Sequence, residues 1–217
     1  MPQTATAYPV TLTVDYPDHD LNRLTTFFRS ILIIPAAVML ALVTIPIWGW
    51  GSGMSQSGFT QVWRAIFGTA TFLFVPTLLM ILFRRKYPRW WFDWNVNVTK
   101  FSARVGAYAA LVTDEYPSTE REQCVHIGIP YPDAKTDLLP GLPLVKWFLA
   151  IPHWFLLLFL GIAAGFCIFI SWFAILFTGR FPRGLFDFVV GVGRWGLRAG
   201  AYAFLLVTDV YPPFSLD

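Results

Sequence analysis

From Leu144 to Phe177 the chain runs 34 residues with one charged side chain, Lys146. A helix rises about 1.5 Å per residue and the hydrocarbon core of a bilayer is about 30 Å thick, so about 20 such residues suffice to cross it. The stretch offers no polar face to water, and in lipid only a helix pairs all of its backbone groups. Composition points the same way: 56% of residues are hydrophobic and 13% charged, about half the charged share of a soluble domain. The chain reads as an integral membrane protein. The stretch is too long for one ordinary spanning helix, so it is split near "GIAAG" into a tight hairpin, Leu144 to Leu160 and Phe166 to Phe177. One long tilted helix is the alternative.

The chain also repeats itself. "RVGAYAALVTDEYPS" from Arg104 returns as "RAGAYAFLLVTDVYPPF" from Arg198. Upstream, Tyr87, Pro88, Arg89, Phe92 and Asp93 match Phe181, Pro182, Arg183, Phe186 and Asp187 at one offset. "VTLTVDYPD" from Val10 corresponds to "VHIGIPYPD" from Val125, each an alternating, β-branched segment stopped by a Pro-Asp turn. Arg29 before "SILIIP" corresponds to Lys146 before "WFLAIP". Such order predicts two tandem modules, residues 1–118 and 119–217. Each is a short β-strand, a transmembrane helical hairpin and an amphipathic interfacial helix, giving a mainly α membrane protein.

In the first module the spanning helices run about Phe27 to Trp48 and Val62 to Phe83, around the uncharged loop "GWGSGMSQSGF". If both hairpins go out and return, Arg23, Arg29, Arg84, Arg85, Lys86, Arg89, Lys146, Arg180 and Arg183 share one side, with only Arg64 opposite. The positive-inside rule makes that side cytoplasmic, with four spans and both termini inside. The N-terminus has neither the basic start nor the apolar run of a signal peptide.

The third segment of each module, Phe92 to Val112 and Leu185 to Val207, is apolar but interrupted by charges. At helical spacing Asp187, Gly191, Arg194, Arg198 and Tyr202 form one stripe, matched by Asp93, Asn97, Lys100, Arg104 and Tyr108. Two arginines are expensive at mid-bilayer, from about 2.5 kcal/mol each, which an interfacial position avoids. Lipid phosphates then meet Arg194 and Arg198, and the opposite face, Phe186, Val189, Val190 and Phe204 among others, sinks into acyl chains. Three readings stay open: a plain anchor, a headgroup or partner site framed by Lys100, Arg104, Tyr108, Arg194, Arg198 and Tyr202, or a spanning helix lining a polar path. Prolines stop each helix near Thr113 and Thr208. Asp114 and Asp209 then stand at the wrong end for the helix dipole, which predicts a local partner, either a backbone amide or an arginine of the other copy such as Arg104 for Asp209. Asp93 and Asp187 are read likewise as structural ion pairs or caps.

No catalytic cluster is legible. Cys124 and Cys167 occupy unlike settings, and His19, His126 and His153 have no ligand spacing, so neither a metal nor another cofactor is expected. With 16 Lys and Arg against 13 Asp and Glu, the balance does not point to nucleic acid.

The basic residue before "IP" and the later "GRFPRGLFDFVVGVGRWGLRAGAYAFLLVTDVYPPF" resemble a bacterial membrane-protein family catalogued as domain of unknown function 4389. The likeness covers both halves and is strongest from Leu144 to Leu216; the first half departs in its longer outer loop and in "WWFDWNVNVTKFSARVG". The resemblance implies the membrane class and no assigned reaction; the localisation expected from the whole reading is the bacterial plasma membrane, multi-pass, with both termini cytoplasmic. The expectation is a non-enzymatic scaffold or accessory subunit whose two basic helices hold anionic lipid headgroups, a membrane protein complex or a second copy. A small transporter or channel is the alternative, disfavoured by spans almost free of ionisable groups.

Overall fold

A computed structural model describes residues 8–17, 20–44, 74–121, 123–133, 138–139 and 141–217. The "GWGSGMSQSGF" loop, Arg64 and the loop-side parts of the first two expected spans lie outside the described residues. The protein is mainly helical. In chain order come β1 (Thr11–Val14), α1 (Arg23–Leu32), α2 (Ile34–Thr44), α3 (Phe74–Arg84), α4 (Arg89–Ala109), β2 (Val125–Gly128), α5 (Leu142–Leu149), α6 (Ile151–Thr178) and α7 (Arg183–Gly200), which runs into a π-helical turn, Ala201–Leu205.

The expected second hairpin is not formed. α6 continues for 28 residues through Gly161 and Gly165. A helical glycine costs about 1 kcal/mol relative to alanine, less than stranding backbone groups of a turn among apolar side chains. The chain bends instead before each "IP" proline, at Ile33 between α1 and α2 and at Ala150 between α5 and α6. The proline ring lacks an N–H and crowds the preceding turn. Hydrogen bonds still cross the second junction, Ala150 N–H to Lys146 at 2.9 Å and Trp154 N–H to Ala150 at 3.0 Å, so the helix runs on through it and does not reverse. Lys146 and Arg180 therefore sit at opposite ends of one helical rod, and the basic residues do not share one side by the expected out-and-back route.

Two helices, Arg23–Val43 and Leu142–Thr178, are long and apolar enough to cross a membrane, with mean hydropathy 2.1 and 2.4. Only 17% and 11% of their most apolar windows are buried. α7 returns antiparallel along α6, with Phe186 and Val190 near Ile175 and Trp195 bonded to His153.

Over α4 and α7 lies a two-stranded antiparallel ribbon, β1 paired with β2 in the register Thr11 to Gly128 and Val14 to Val125. β1 packs on α7 and β2 on α4, so each strand covers the helix of the other half. The cores are shared in the same way. Ile81, Tyr87 and Phe92 pack with Leu138, Leu205, Leu206 and Val207. Conversely, Leu21, Leu111 and Val112 pack with Ile175, Phe181 and Phe186. Among the described residues, both buried clusters draw on 1–118 and on 119–217.

"AYAFLLVTD" is one residue longer than "AYAALVTD". The π turn absorbs that residue, and both helices still end on a leucine in the left-handed region, Leu111 at φ 65° and Leu206 at φ 55°. After α4, Leu111 N–H bonds Tyr108 and Val112 N–H bonds Ala107, the pattern of a Schellman cap. Both leucines are buried, which offsets a left-handed cost of about 1–2 kcal/mol.

Candidate functional site

The repeated Tyr…Thr-Asp phrase is a receptacle for a buried base. Arg29, 3% exposed, pairs with Asp114. It also donates to the Thr113 carbonyl at 3.0 Å and the Tyr108 carbonyl at 3.3 Å, and its guanidinium lies 4.6 Å from the Tyr108 ring. The second half builds the same cage around Lys146, which is fully buried. Its Nζ lies 2.6 Å from Asp209, donates to the Thr208 carbonyl at 2.6 Å and sits 5.1 Å from the Tyr202 ring. The second oxygen of each acid holds the chain ahead of the basic helix, accepting from Asn22 N–H at 2.6 Å and Leu139 N–H at 2.8 Å. Asp209 thus meets Lys146 of its own half and not Arg104. Burial raises the Tyr108 and Tyr202 hydroxyls above their ordinary pKa, with Arg29 opposing at Tyr108 and Asp209 reinforcing at Tyr202.

The Tyr-Pro-Asp segments lock onto the opposite half. Tyr16 donates its hydroxyl to the Phe181 carbonyl and Tyr131 to the Tyr87 carbonyl. Each ring meets a phenylalanine edge-on at 5.0 Å, Phe186 for Tyr16 and Phe92 for Tyr131. Arg183 and Arg89 cover the same two rings at 4.7 and 5.3 Å.

The stripe expected to face lipid is largely engaged within the protein. Arg194 donates to the Leu12 carbonyl at 2.9 Å and the Leu216 carbonyl at 3.0 Å, tying β1 and the C-terminal segment to α7. Arg198 lies 5.9 Å from the Tyr8 ring, and burial, then Arg194, disfavour its charge. Tyr108 and Tyr202 are buried in the cages. Phe186, Val189 and Val190, expected among acyl chains, pack on α6 and α1-side residues. Helix amphipathicity specifies a buried face without saying whether lipid or protein buries it, and here the partner is protein. Asp93 and Asp187 are exposed, and neither caps its helix nor forms an ion pair with a described residue.

Lys100 differs from its counterpart Arg194 in having no carbonyl partner, while Arg104 and Arg198 alike keep a buried Nε without one. Lys100 and Arg104 line a polar cavity of about 260 Å³ beneath the ribbon with Thr11, Thr13, Gln123 and His126. Lys100 is half-buried and has no hydrogen-bond or ion-pair partner among the described residues. Arg104 donates one Nη to the Ser118 carbonyl at 2.7 Å, while its buried Nε has no partner. Gly128 gives Thr11 its place: a Cβ there would come 2.6 Å from the Thr11 hydroxyl oxygen. Two cations, hydroxyl and amide groups and an imidazole form a donor set suited to an anion. His126 is held at 3.1 Å by Asp15 on its outer side. No group of metal-ligating side chains occurs among the described residues.

Residues 143–215 match the family model described as Domain of unknown function (DUF4389). No curated protein and no solved structure matches the chain.

Proposed function

We propose that the chain is a non-enzymatic integral membrane scaffold, built from two interlocked copies of one module, that holds an anionic headgroup in the cavity of Lys100 and Arg104. The membrane reading is supported by the apolar surface of α2 and α6, where residues such as Leu42, Phe159, Phe166 and Phe173 stay exposed. A contiguous apolar surface of this extent is rare on a soluble monomer. The duplication is supported by the matching cages and tyrosine locks, and by a ribbon register in which Leu12 faces its repeat counterpart Ile127. The observation that carries the function is the unpartnered Lys100 beside the buried, unpaired Nε of Arg104. Of the six residues in the two stripes, these two line a polar cavity, which supports placing the anion site in the first half.

Each basic group near an anionic lipid contributes about 1 kcal/mol, so Lys100→Gln with Arg104→Gln should weaken binding by about 30-fold. The measurement is a titration of the detergent-solubilised chain with short-chain phosphatidylglycerol against phosphatidylcholine. Arg194→Gln, whose side chain is held by two carbonyls, should lower stability and leave affinity unchanged. Equal weakening by both variants would reject the site.

A further inference from the structure

The two modules end differently. In the second, residues 210–217 turn back into the groove between α6 and α7. There the Phe214 ring lies on the His153 imidazole, 4.2 Å between centroids at 17°, and the Trp195 ring meets it edge-on at 5.7 Å. Trp195 Nε1 donates to His153 Nδ1 at 3.0 Å, fixing the imidazole under the phenyl ring. Leu216 fills the next position so tightly that a Cβ at Gly191 would come 3.0 Å from it. The second-half groove is therefore plugged by apolar side chains of its own tail.

The corresponding groove of the first module lies between α2 and α4. Ala36 stands there in place of His153, Thr119 in place of Phe214, Arg121 in place of Leu216 and Asn97 in place of Gly191. Among the described residues nothing fills it, and a cleft of about 840 Å³ remains. Met39, Val43, Trp94 and Phe101 form its apolar part, while Glu115, Glu120 and Arg121 stand at its rim. The volume lies within the range of about 300–1,000 Å³ common to small-molecule sites.

We propose that this cleft binds one acyl chain of a zwitterionic membrane phospholipid. The second half shows what the groove accepts: an aromatic ring laid on His153, with 53% of Phe214 still exposed, and next to it a half-buried aliphatic side chain, Leu216. The cleft is continuous with the exposed apolar face of α2, where Met39 is 57% and Val43 44% exposed, so a chain enters from the side. Its rim carries acids and a base together, which suits an ammonium and a phosphate on one headgroup. The segment after Tyr116 separates it from the Lys100 and Arg104 cavity, with Gln123 lining both. The proposal rests on the duplication and on membrane embedding, and not on the anion site.

The test is native mass spectrometry of the delipidated full chain after incubation with dioleoyl phosphatidylethanolamine in mild detergent. One lipid per chain should be retained. Asn97→Trp and Met39→Trp, which fill the cleft from α4 and from α2, should each reduce retention at least tenfold. Leu156→Trp, at the α6 position corresponding to Met39, should leave it unchanged. Phe214→Ala with Leu216→Ala unplugs the second groove and should raise the number retained from one to two. Absence of a retained lipid, a dimer in its place, equal retention in folded Asn97→Trp and Met39→Trp, or a stoichiometry fixed at one in the unplugged chain would each overturn the proposal. Thermal melting checks that the variants are folded. Carbonate extraction of membranes tests the embedding separately, so a soluble chain and an empty cleft give different results.

Discussion

Replacing Asp209 with alanine should cost more than any other single removal of an acid in the second half. Lys146 has no exposure, and its ammonium is held by two oxygens at 2.6 Å, one of them the Asp209 carboxylate. Without Asp209 the charge stays buried against the Thr208 carbonyl and the Tyr202 ring. Removing one member of a buried pair costs about 3–5 kcal/mol because the other is left uncompensated. For a chain of this size 1 kcal/mol moves the melting temperature by about 2–4 °C, so the loss should be roughly 6–20 °C. Adding Lys146→Met removes the stranded charge. What then remains is an unmet Thr208 carbonyl, costing about 1–3 kcal/mol, since Leu139 N–H is exposed to solvent. The double variant should therefore melt above Asp209→Ala alone, and a thermal double-mutant cycle in detergent measures the difference. Asp187→Ala, at an exposed and unpaired acid, should change little. A double variant no more stable than Asp209→Ala would refute the buried-pair account.

Two further outcomes are expected. Burial pushes the Tyr87 hydroxyl up to about 12 from 10.0, so the folded state keeps its proton where the unfolded chain releases it. That contribution is complete below pH 10 and is lost as pH rises towards 12, at up to about 1.4 kcal/mol per unit. Tyr87→Phe should remove about one proton from the slope of stability against pH, read from denaturation between pH 9 and 12. Because both cores draw on both halves, residues 1–118 and 119–217 should fail to fold when expressed apart and should co-purify when expressed together.

Helix and strand positions were legible in the sequence because local rules govern them. Alternation placed β1 and β2, the prolines placed the ends of α4 and α7, and the charge-broken segments became α4 and α7. What was not legible depends on partners far along the chain. Arg29 and Lys146 looked like interfacial markers of orientation, yet each is enclosed by a phrase more than fifty residues later. Tyr16 and Tyr131 looked like turn residues and proved to be the locks between halves. The one available signal was covariation within the chain itself: each basic residue and each Tyr-Pro-Asp recurs with the motif it contacts. The second hairpin was expected because 34 apolar residues exceed one ordinary span; the structure instead keeps Ile151–Thr178 as one helix through both glycines, nearer the long-helix alternative.

The duplication also separates structural positions from functional ones. Where the halves agree, as in the cages, the locks and the left-handed leucines, the contact is needed twice and closes on itself. Where they disagree, the second half supplies an internal group and the first does not. Arg194 is satisfied by Leu12 and Leu216, but its counterpart Lys100 faces a cavity. Phe214 stacks on His153 in one groove, but Ala36 and Thr119 stand in their places beside the open cleft of the other. Both differences turn on the segment after the repeated aspartate, which in the second half folds back as "VYPPFSLD" and in the first continues as "EYPSTERE" into β2. Phe214 and Leu216 lie in the groove of their own half, whereas the corresponding first-half segment runs on to pair β2 with β1. The polar and apolar sites of the first half lie on either side of that one linker, with Gln123 lining both.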